Sequence, residues 1–279
     1  MIGVNIEAGF ANRLFKMVSV YAISKKYNIP FTFVNWDKKS HHSNQTYDEI
    51  VKRFIELDMY DINTNTYHLL WNEPVNKFMS YIDINTEVPE IHHKNVLLNG
   101  FFQNEKYFKE YKQDIIELLR EPECIKKRIE LYESNFTYIN NSYFIHIRLG
   151  DYLTNKKHFV NLNEYYKKCI NDIVDKDPEA SFVLFSNQVQ YINIVYPSIK
   201  ETLNLHKCNH IILGEQDELV SFYLMKRCNK GGICSNSTFG WWAGWLNTNE
   251  QKRIYMPSKW INIDVDNDIY PEKCILIQI

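Results

Sequence analysis

Five short apolar runs in the second half of the chain, at 142–148, 182–186, 210–213, 232–235 and 253–257, alternate with stretches of helical spacing. Those stretches fall at 162–173, 189–195, 218–228 and 239–246. A strand that reaches the next strand through a helix is returned to the same end of the sheet. Repeated, this pattern predicts a parallel sheet with helices on both faces, a doubly wound α/β fold. In such a sheet, ligands bind beyond the carboxyl ends of the strands. Polar residues that directly follow an apolar run therefore carry the functional reading.

The first half opens in the same way. A short apolar strand at 2–6 leads into the turn Glu7-Ala8-Gly9-Phe10. Ala11, Leu14, Phe15, Val18 and Ala22 then recur at helical spacing as far as Tyr27, and a second strand follows at 30–34. The span 37–94 is polar and irregular, with one helix predicted near 47–57. A strand is read at 96–102, then a helix with Phe108, Tyr111, Ile115 and Leu119 on one face. The charged, helical stretch 121–141 is the candidate domain bridge. The expected architecture is GT-B-like, with two Rossmann-like α/β domains, 1–136 and 137–279, facing each other across a cleft. There is no Gly/Ser/Pro-rich linker, internal repeat or low-complexity tract, so the halves are expected to be tightly joined.

Composition narrows the function classes. At 279 residues the chain can bury a real core, and 45% hydrophobic with 24% charged residues is ordinary for a globular protein. A net charge of -2 gives no reason to expect nucleic acid or an anionic membrane surface as partner. The 15% aromatic content suits stacking on sugar rings, but biased codon usage explains the abundance of Tyr and Asn equally well. No stretch approaches the ~18–20 apolar residues of a membrane span. The start, MIGVNIEAGFANRLF, has no basic segment leading into an apolar one, so no signal peptide is read. Cys124, Cys169, Cys208, Cys228, Cys234 and Cys274 lack CxxC spacing and read as free thiols of a cytoplasmic protein. Peripheral contact with a membrane stays open.

Three segments could carry chemistry. His146-Ile147-Arg148-Leu149-Gly150-Asp151-Tyr152 ends an apolar strand. Arg148 could hold a pyrophosphate bidentately and stabilise charge on a departing nucleoside diphosphate, while Asp151 could take a proton from an attacking hydroxyl. An Arg–Asp pair that merely closes the loop is the alternative. In Cys234-Ser235-Asn236-Ser237-Thr238-Phe239-Gly240-Trp241-Trp242, a strand gives way to a helix. Ser237 or Thr238 is a natural N-cap, and hydroxyls beside free helix N–H groups make an anion site. An ordinary cap ahead of an aromatic core helix is the alternative. In Gly9-Phe10-Ala11-Asn12-Arg13, a glycine turn could approach a phosphate or sugar, or simply join strand to helix. With one glycine and no acidic residue ending the second strand, it is not a dinucleotide fingerprint. Asp264-Val265-Asp266-Asn267-Asp268 contains a D-x-D but reads as a solvated acidic loop. The pairs His41-His42 and His92-His93 lack ligand spacing and read as surface. No metal site is expected.

Together these segments resemble the α-1,2-fucosyltransferases of glycosyltransferase family 11. That family shows G-x-x-N-Q-[LM], H-x-R-R-G-D-Y and S-N-S-[ST]-F-x-W-W in this order. The block from Gly100 through Phe101, Phe102, Gln103, Asn104, Glu105, Lys106 and Tyr107 to Phe108 is similar to the family's G-Y-F-Q-S-E-K-Y-F. Glu164 to Lys168, Phe185-Ser186-Asn187 and the stretch 252–260 extend the likeness over nearly the whole chain. It is weakest over 36–96.

The resemblance implies a GDP-β-L-fucose donor, a galactoside 2-hydroxyl acceptor, inversion at the anomeric carbon, and no cofactor or required metal. It assigns 1–136 to the acceptor and 137–279 to the donor. Arg148 would contact the diphosphate with Asn236, Ser237, Thr238 and Phe239 close by. Gly9, Asn12 and Arg13 would form a loop reaching across from the first domain, and His146 and Asn187 would shape the donor pocket. Asp151 is the candidate base. This chain departs from the pattern at four places. Leu149 replaces the second Arg and Arg13 the usual Gln, Asn187-Gln188 stands for Asp-Asp, and Ser221 occupies a position where many members carry an Asp that could pair with guanine. These departures keep other nucleotide sugars open, with rhamnose and galactose as examples. A catalytically silent glycan- or nucleotide-binding protein is a further reading, and a metal-dependent transferase using Asp264 and Asp266 is the least favoured.

Overall fold

The structure, a computed structural model, describes residues 1–35, 47–57, 67–214 and 217–279. It comprises two compact units. One holds Met1–Pro122 with Asp264–Pro271, the other Glu123–Ile263 with Glu272–Ile279. The division falls between Pro122 and Glu123 rather than between 136 and 137. The reason lies in α5 (Glu123–Asn135), expected as a bridge, which packs on α10 (Glu218–Arg227) of the second unit. Arg128 of α5 pairs there with Asp217 at 3.3 Å.

The first unit carries β1 (Ile2–Asn5), α1 (Phe10–Tyr27), β2 (Phe31–Val34), α2 (Asp48–Ile55), β3 (Leu69–Asn72), α3 (Ile84–Glu87), β4 (Val96–Asn99) and α4 (Lys112–Leu118). Its four strands are all parallel, in the order β2-β1-β4-β3. α1 ends at Asn28, whose left-handed φ of 52° suits a C-cap. β3 and α3 lie in the span read as irregular. β3 is four residues long with half its side chains exposed, too short and too polar for an apolar run to betray it. The helix expected over 108–119 opens as two single-turn 3-10 segments before α4. His92 and His93 are exposed, as expected. His41-His42 lie outside the described residues.

The second unit carries β5 (Tyr143–Ile147), α6 (Asp151–Thr154), α7 (Asn163–Lys176), β6 (Phe182–Ser186), α8 (Ile192–Val195), α9 (Pro197–Leu205) and β7 (His210–Gly214). After α10 come β8 (Gly231–Ile233), α11 (Thr238–Leu246), β9 (Arg253–Pro257) and β10 (Cys274–Ile277). All six strands are parallel, in the order β10-β9-β8-β5-β6-β7. Counted from β5 this is 3-2-1-4-5-6 read from the far edge, the Rossmann order. Side chains alternate across β5. Tyr143, Ile145 and Ile147 join the cluster that includes Tyr165, Cys169 and Ile173 of α7 and Ile199 and Leu203 of α9. His146 turns to the opposite face and meets Phe239 of α11. Burial of both faces explains why all five β5 positions are buried.

Both units are thus Rossmann-like parallel α/β layers, the GT-B-like composition expected. The acidic stretch near the carboxyl end is more than a solvated loop. Between β9 and β10 the chain lays 264–271 against the first unit. Asp266 N donates to Asn76 O at 3.1 Å, and Asp268 pairs with Lys106 at 2.6 Å. Among the described residues, no group of three His, Cys, Asp or Glu gathers as a metal site, and no helix is long and apolar enough to cross a membrane. All six cysteines are free thiols.

Candidate functional site

In the second sheet the strand order reverses between β5 and β8, so the loops leaving these two strands diverge and open a crevice. The two strongest sequence segments are these loops. Leu149 N donates to Asn187 Oδ1 at 2.9 Å, and Gly150 N donates to Gln188 Oε1 at 3.1 Å, tying the β5 exit to that of β6. Gly150 takes φ 69°, and a Cβ there would stand 2.6 Å from Asn187 Nδ2. Only glycine makes this turn without strain. Asn187, expected near a donor, here holds the loop that presents Arg148.

Arg148 is held from two sides. Its Nη2 pairs with Asp151 Oδ1 at 2.6 Å, and its guanidinium carbon lies 5.3 Å from the Tyr152 ring centre. Burial raises the Tyr152 phenol, and the nearby Ser237 side chain is among the groups that lower it. One tyrosine side chain therefore spans from the guanidinium to the amino end of α11. His158 stacks on the same ring at 5.2 Å. Arg148 remains 19% exposed and Asp151 55%, so the pair is open to solvent and worth little as a structural brace.

Ser237 caps α11, its hydroxyl accepting from Phe239 N at 3.4 Å, and Thr238 begins the helix. Asn236 is turned inward. Its Nδ2 donates to His158 O at 2.8 Å and to Trp260 O at 2.9 Å, which makes it a clamp on the 158 loop. His146 is buried between the strand and α11, with Nδ1 3.0 Å from Ser235 Oγ. Burial first, and the Arg148 charge second, push its imidazole down to about 3, so the ring is neutral at ordinary pH. Gly240 permits this contact, since a Cβ there would be 2.8 Å from His146 Nδ1. The Tyr165 and Tyr166 hydroxyls donate to Cys234 O and His146 O at 2.7 and 2.9 Å and fix both strand ends from below.

In the first sheet β1 and β4 are the central, neighbouring strands. Gly9 precedes α1 with φ −64° and ψ 155°, a conformation any residue adopts, so no glycine-only turn occurs there. Asn12 Oδ1 accepts from Gln103 Nε2 at 2.9 Å, joining the exits of β1 and β4. Arg13 is only 1% exposed, with its guanidinium carbon 5.3 Å from the Tyr47 ring centre, and packs into the unit.

The sequence reading gave no role to Tyr152, Ser235 or Gln188, nor to Glu73, Lys16 and Gln103 of the first unit. Tyr152 lay inside a quoted motif, and its position four residues after Arg148 was the available signal. Glu73 had none, because it follows a strand that periodicity did not reveal.

Two parallel α/β units, one with a partly exposed arginine beside a capped helix mouth at its switch point, form an arrangement whose charge suits an anionic ligand beyond the strand ends. Residues 55–264 match the model of glycosyl transferase family 11, and the chain belongs to that family. It is 32% identical over 138 residues to the O-antigen biosynthesis glycosyltransferase WbnK of Escherichia coli, covering 47% of this chain and 43% of that protein. It is 30% identical over 185 residues to an alpha-1,2-colitosyltransferase of Escherichia coli, covering 64% and 61%. The matches thus span about half of these relatives' own length. A solved structure of POFUT1 in complex with GDP-fucose superposes over 91% of this chain and 96% of that one, with 12% identity and a TM-score of 0.48.

Proposed function

We propose that the chain is an inverting glycosyltransferase that moves L-fucose from GDP-β-L-fucose to the 2-hydroxyl of a galactoside, without a metal. The observation that carries this is Arg148, partly exposed at the β5 exit, with its guanidinium carbon 5.3 Å from the Tyr152 ring centre and the Tyr152 phenol near Ser237 of the α11 mouth. A guanidinium and a helix amino end together supply positive charge where a leaving diphosphate gains negative charge. The second unit would bind the donor and the first the acceptor. Inversion requires the hydroxyl to attack from the face opposite the leaving group, so bringing the two substrates into line is much of the catalysis. Asp151 already gives one carboxylate oxygen to Arg148, which favours orienting the guanidinium over serving as the base. An Asp151→Asn variant with a normal pH–rate profile and lowered turnover would support that assignment; loss of the acid limb would restore it as base.

A second reading, the same chemistry with another nucleotide sugar, is favoured by Ser221 in α10, where a guanine-pairing carboxylate is expected. The name of the colitosyltransferase relative also favours it. Thermal-shift measurements with GDP-fucose, GDP, UDP-sugars and dTDP-sugars separate the two. A ligand at 100 times its Kd adds about 2.7 kcal/mol, so the right nucleotide stands out. Stabilisation by UDP-sugars alone would overturn the GDP assignment, and loss of transfer in excess EDTA would overturn metal independence.

A further inference from the structure

Glu73 directly follows β3, is buried, and lies outside the arginine-bearing site. Its N–H donates to Asn99 O at 2.9 Å, carrying the β3–β4 ladder one residue past the strand. Its carboxylate turns to the exit of β4. Oε2 accepts from Phe101 N at 2.7 Å and Oε1 from Phe102 N at 3.2 Å. Phe102 stands at φ 54°, in the left-handed region that a bulky aromatic rarely enters. That backbone aims two successive amides at one point, forming a small anion nest with Glu73 as its occupant. Gly100 makes room for it, because a Cβ there would stand 2.6 Å from Glu73 Cβ. Strained backbone held by a buried charge tends to mark a site where exact placement matters. Here the placed residue is the next one, Gln103, which donates to Asn12 at the start of α1.

We propose that Glu73 is a positioning residue whose carboxylate sustains the left-handed turn at Phe102 and so sets Gln103 against Asn12 at the strand exits of the first sheet. This rests on the transferase reading above, in which that unit takes the acceptor. Burial pushes Glu73 up to about 7, against the two amides and Lys16, which pull it down. The charged and titratable groups around it are Lys16 and Arg13 of α1, Glu7 acting on Lys16, and Tyr107, whose phenol burial and Glu73 push up. Lys16 donates to Asn5 O at 3.1 Å and is itself lowered to about 8, chiefly by burial. Near neutral pH the anchor therefore changes state. Protonation puts a hydrogen on one oxygen and leaves the two amides to share the other, Oε2 lying 2.7 Å from Phe101 N and 3.3 Å from Phe102 N.

The test is amide exchange at Phe101 and Phe102 in the full chain between pH 8.5 and 6, expressed as protection factors, together with steady-state kinetics. Wild-type protection at these two amides, taken relative to that of β4, is expected to fall at least tenfold as pH drops through 7. Glu73→Gln should show low protection at every pH, an acceptor KM raised fivefold or more, a donor KM within twofold, and no acid limb in kcat/KM near pH 7. Flat wild-type protection overturns the proposal, as does a Glu73→Gln variant with unchanged acceptor KM. If that variant does not fold, the wild-type titration decides alone. Absence of transfer from every donor, alongside a normal exchange titration, would sink the transferase reading and the acceptor role while leaving the anchor intact.

Discussion

Each sheet carries polar groups at the exits of two neighbouring central strands, and the two differ in where their charge sits. At the β5/β8 crevice Arg148 and Asp151 reach solvent, while His146, Ser235, Asn236 and Ser237 are buried. Arg148 has one exposed counter-ion, and the helix mouth beside it is capped only by Ser237. At the β1/β4 exits the polar groups face inward and answer one another, Glu73 to two amides, Lys16 to Asn5 O and Gln103 to Asn12. The first pattern leaves charge available for a ligand. The second uses it to hold backbone in place.

Truncating one arginine in each unit should break the comparison most clearly. Arg148→Ala is expected to cut turnover about 10²–10³-fold with Tm unchanged, because the lost group stabilises a leaving charge and braces little. Arg13→Ala should instead destabilise the fold by about 2–3 kcal/mol, since a side chain 1% exposed leaves a void. Equal effects on Tm would show that the units do not divide the work this way.

Acidification should next move the two units in opposite directions. Glu73 has a folded value of about 7 against 4.5, so its contribution is fully present below pH 4.5 and lost as pH rises through 7. His146 has a folded value of about 3 against 6.5, so its contribution is present above pH 6.5 and lost as pH falls toward 3. Between pH 7 and 4.5 each term is on the order of 3 kcal/mol, favouring the first unit and disfavouring the second. Exchange measured separately in β4 and β5 against pH checks the signs, and Glu73→Gln should abolish the first.

Smaller effects sharpen the picture of the β5/β8 crevice. Gly240→Ala drives a Cβ into His146 and should cost about 1–3 kcal/mol, read by denaturant unfolding. Ser237→Ala should cost about 1 kcal/mol through the lost cap, and calorimetry should also show weaker donor binding. An unchanged affinity would remove Ser237 from the donor site.

Most of the second sheet could be read from its sequence, because apolar runs such as 182–186 and helical spacing such as 162–173 declare themselves within a few residues. β10 and α9 escaped, the first as a short half-buried edge strand. β3 escaped for the same reason and took Glu73 with it. Arg148 could be singled out because it directly follows β5, and Ser237 and Thr238 because they open α11 a few residues after β8. Asn236 and Arg13, singled out as polar residues near strand ends, are buried, while Asn187 is exposed and holds Leu149 N; only the folded chain fixes such orientation.

By itself the sequence determined the alternation of strand and helix, the residues that leave each strand, and the family these blocks match. Both periodicity and turn chemistry act over a handful of neighbours. The tertiary structure alone decided which distant groups meet: Ser235 with His146 across 89 positions, Gln103 with Asn12 across 91, and Lys106 with Asp268 across 162. Such partners are chosen by sheet order and close packing, which sum contacts over the whole chain and leave no local signature.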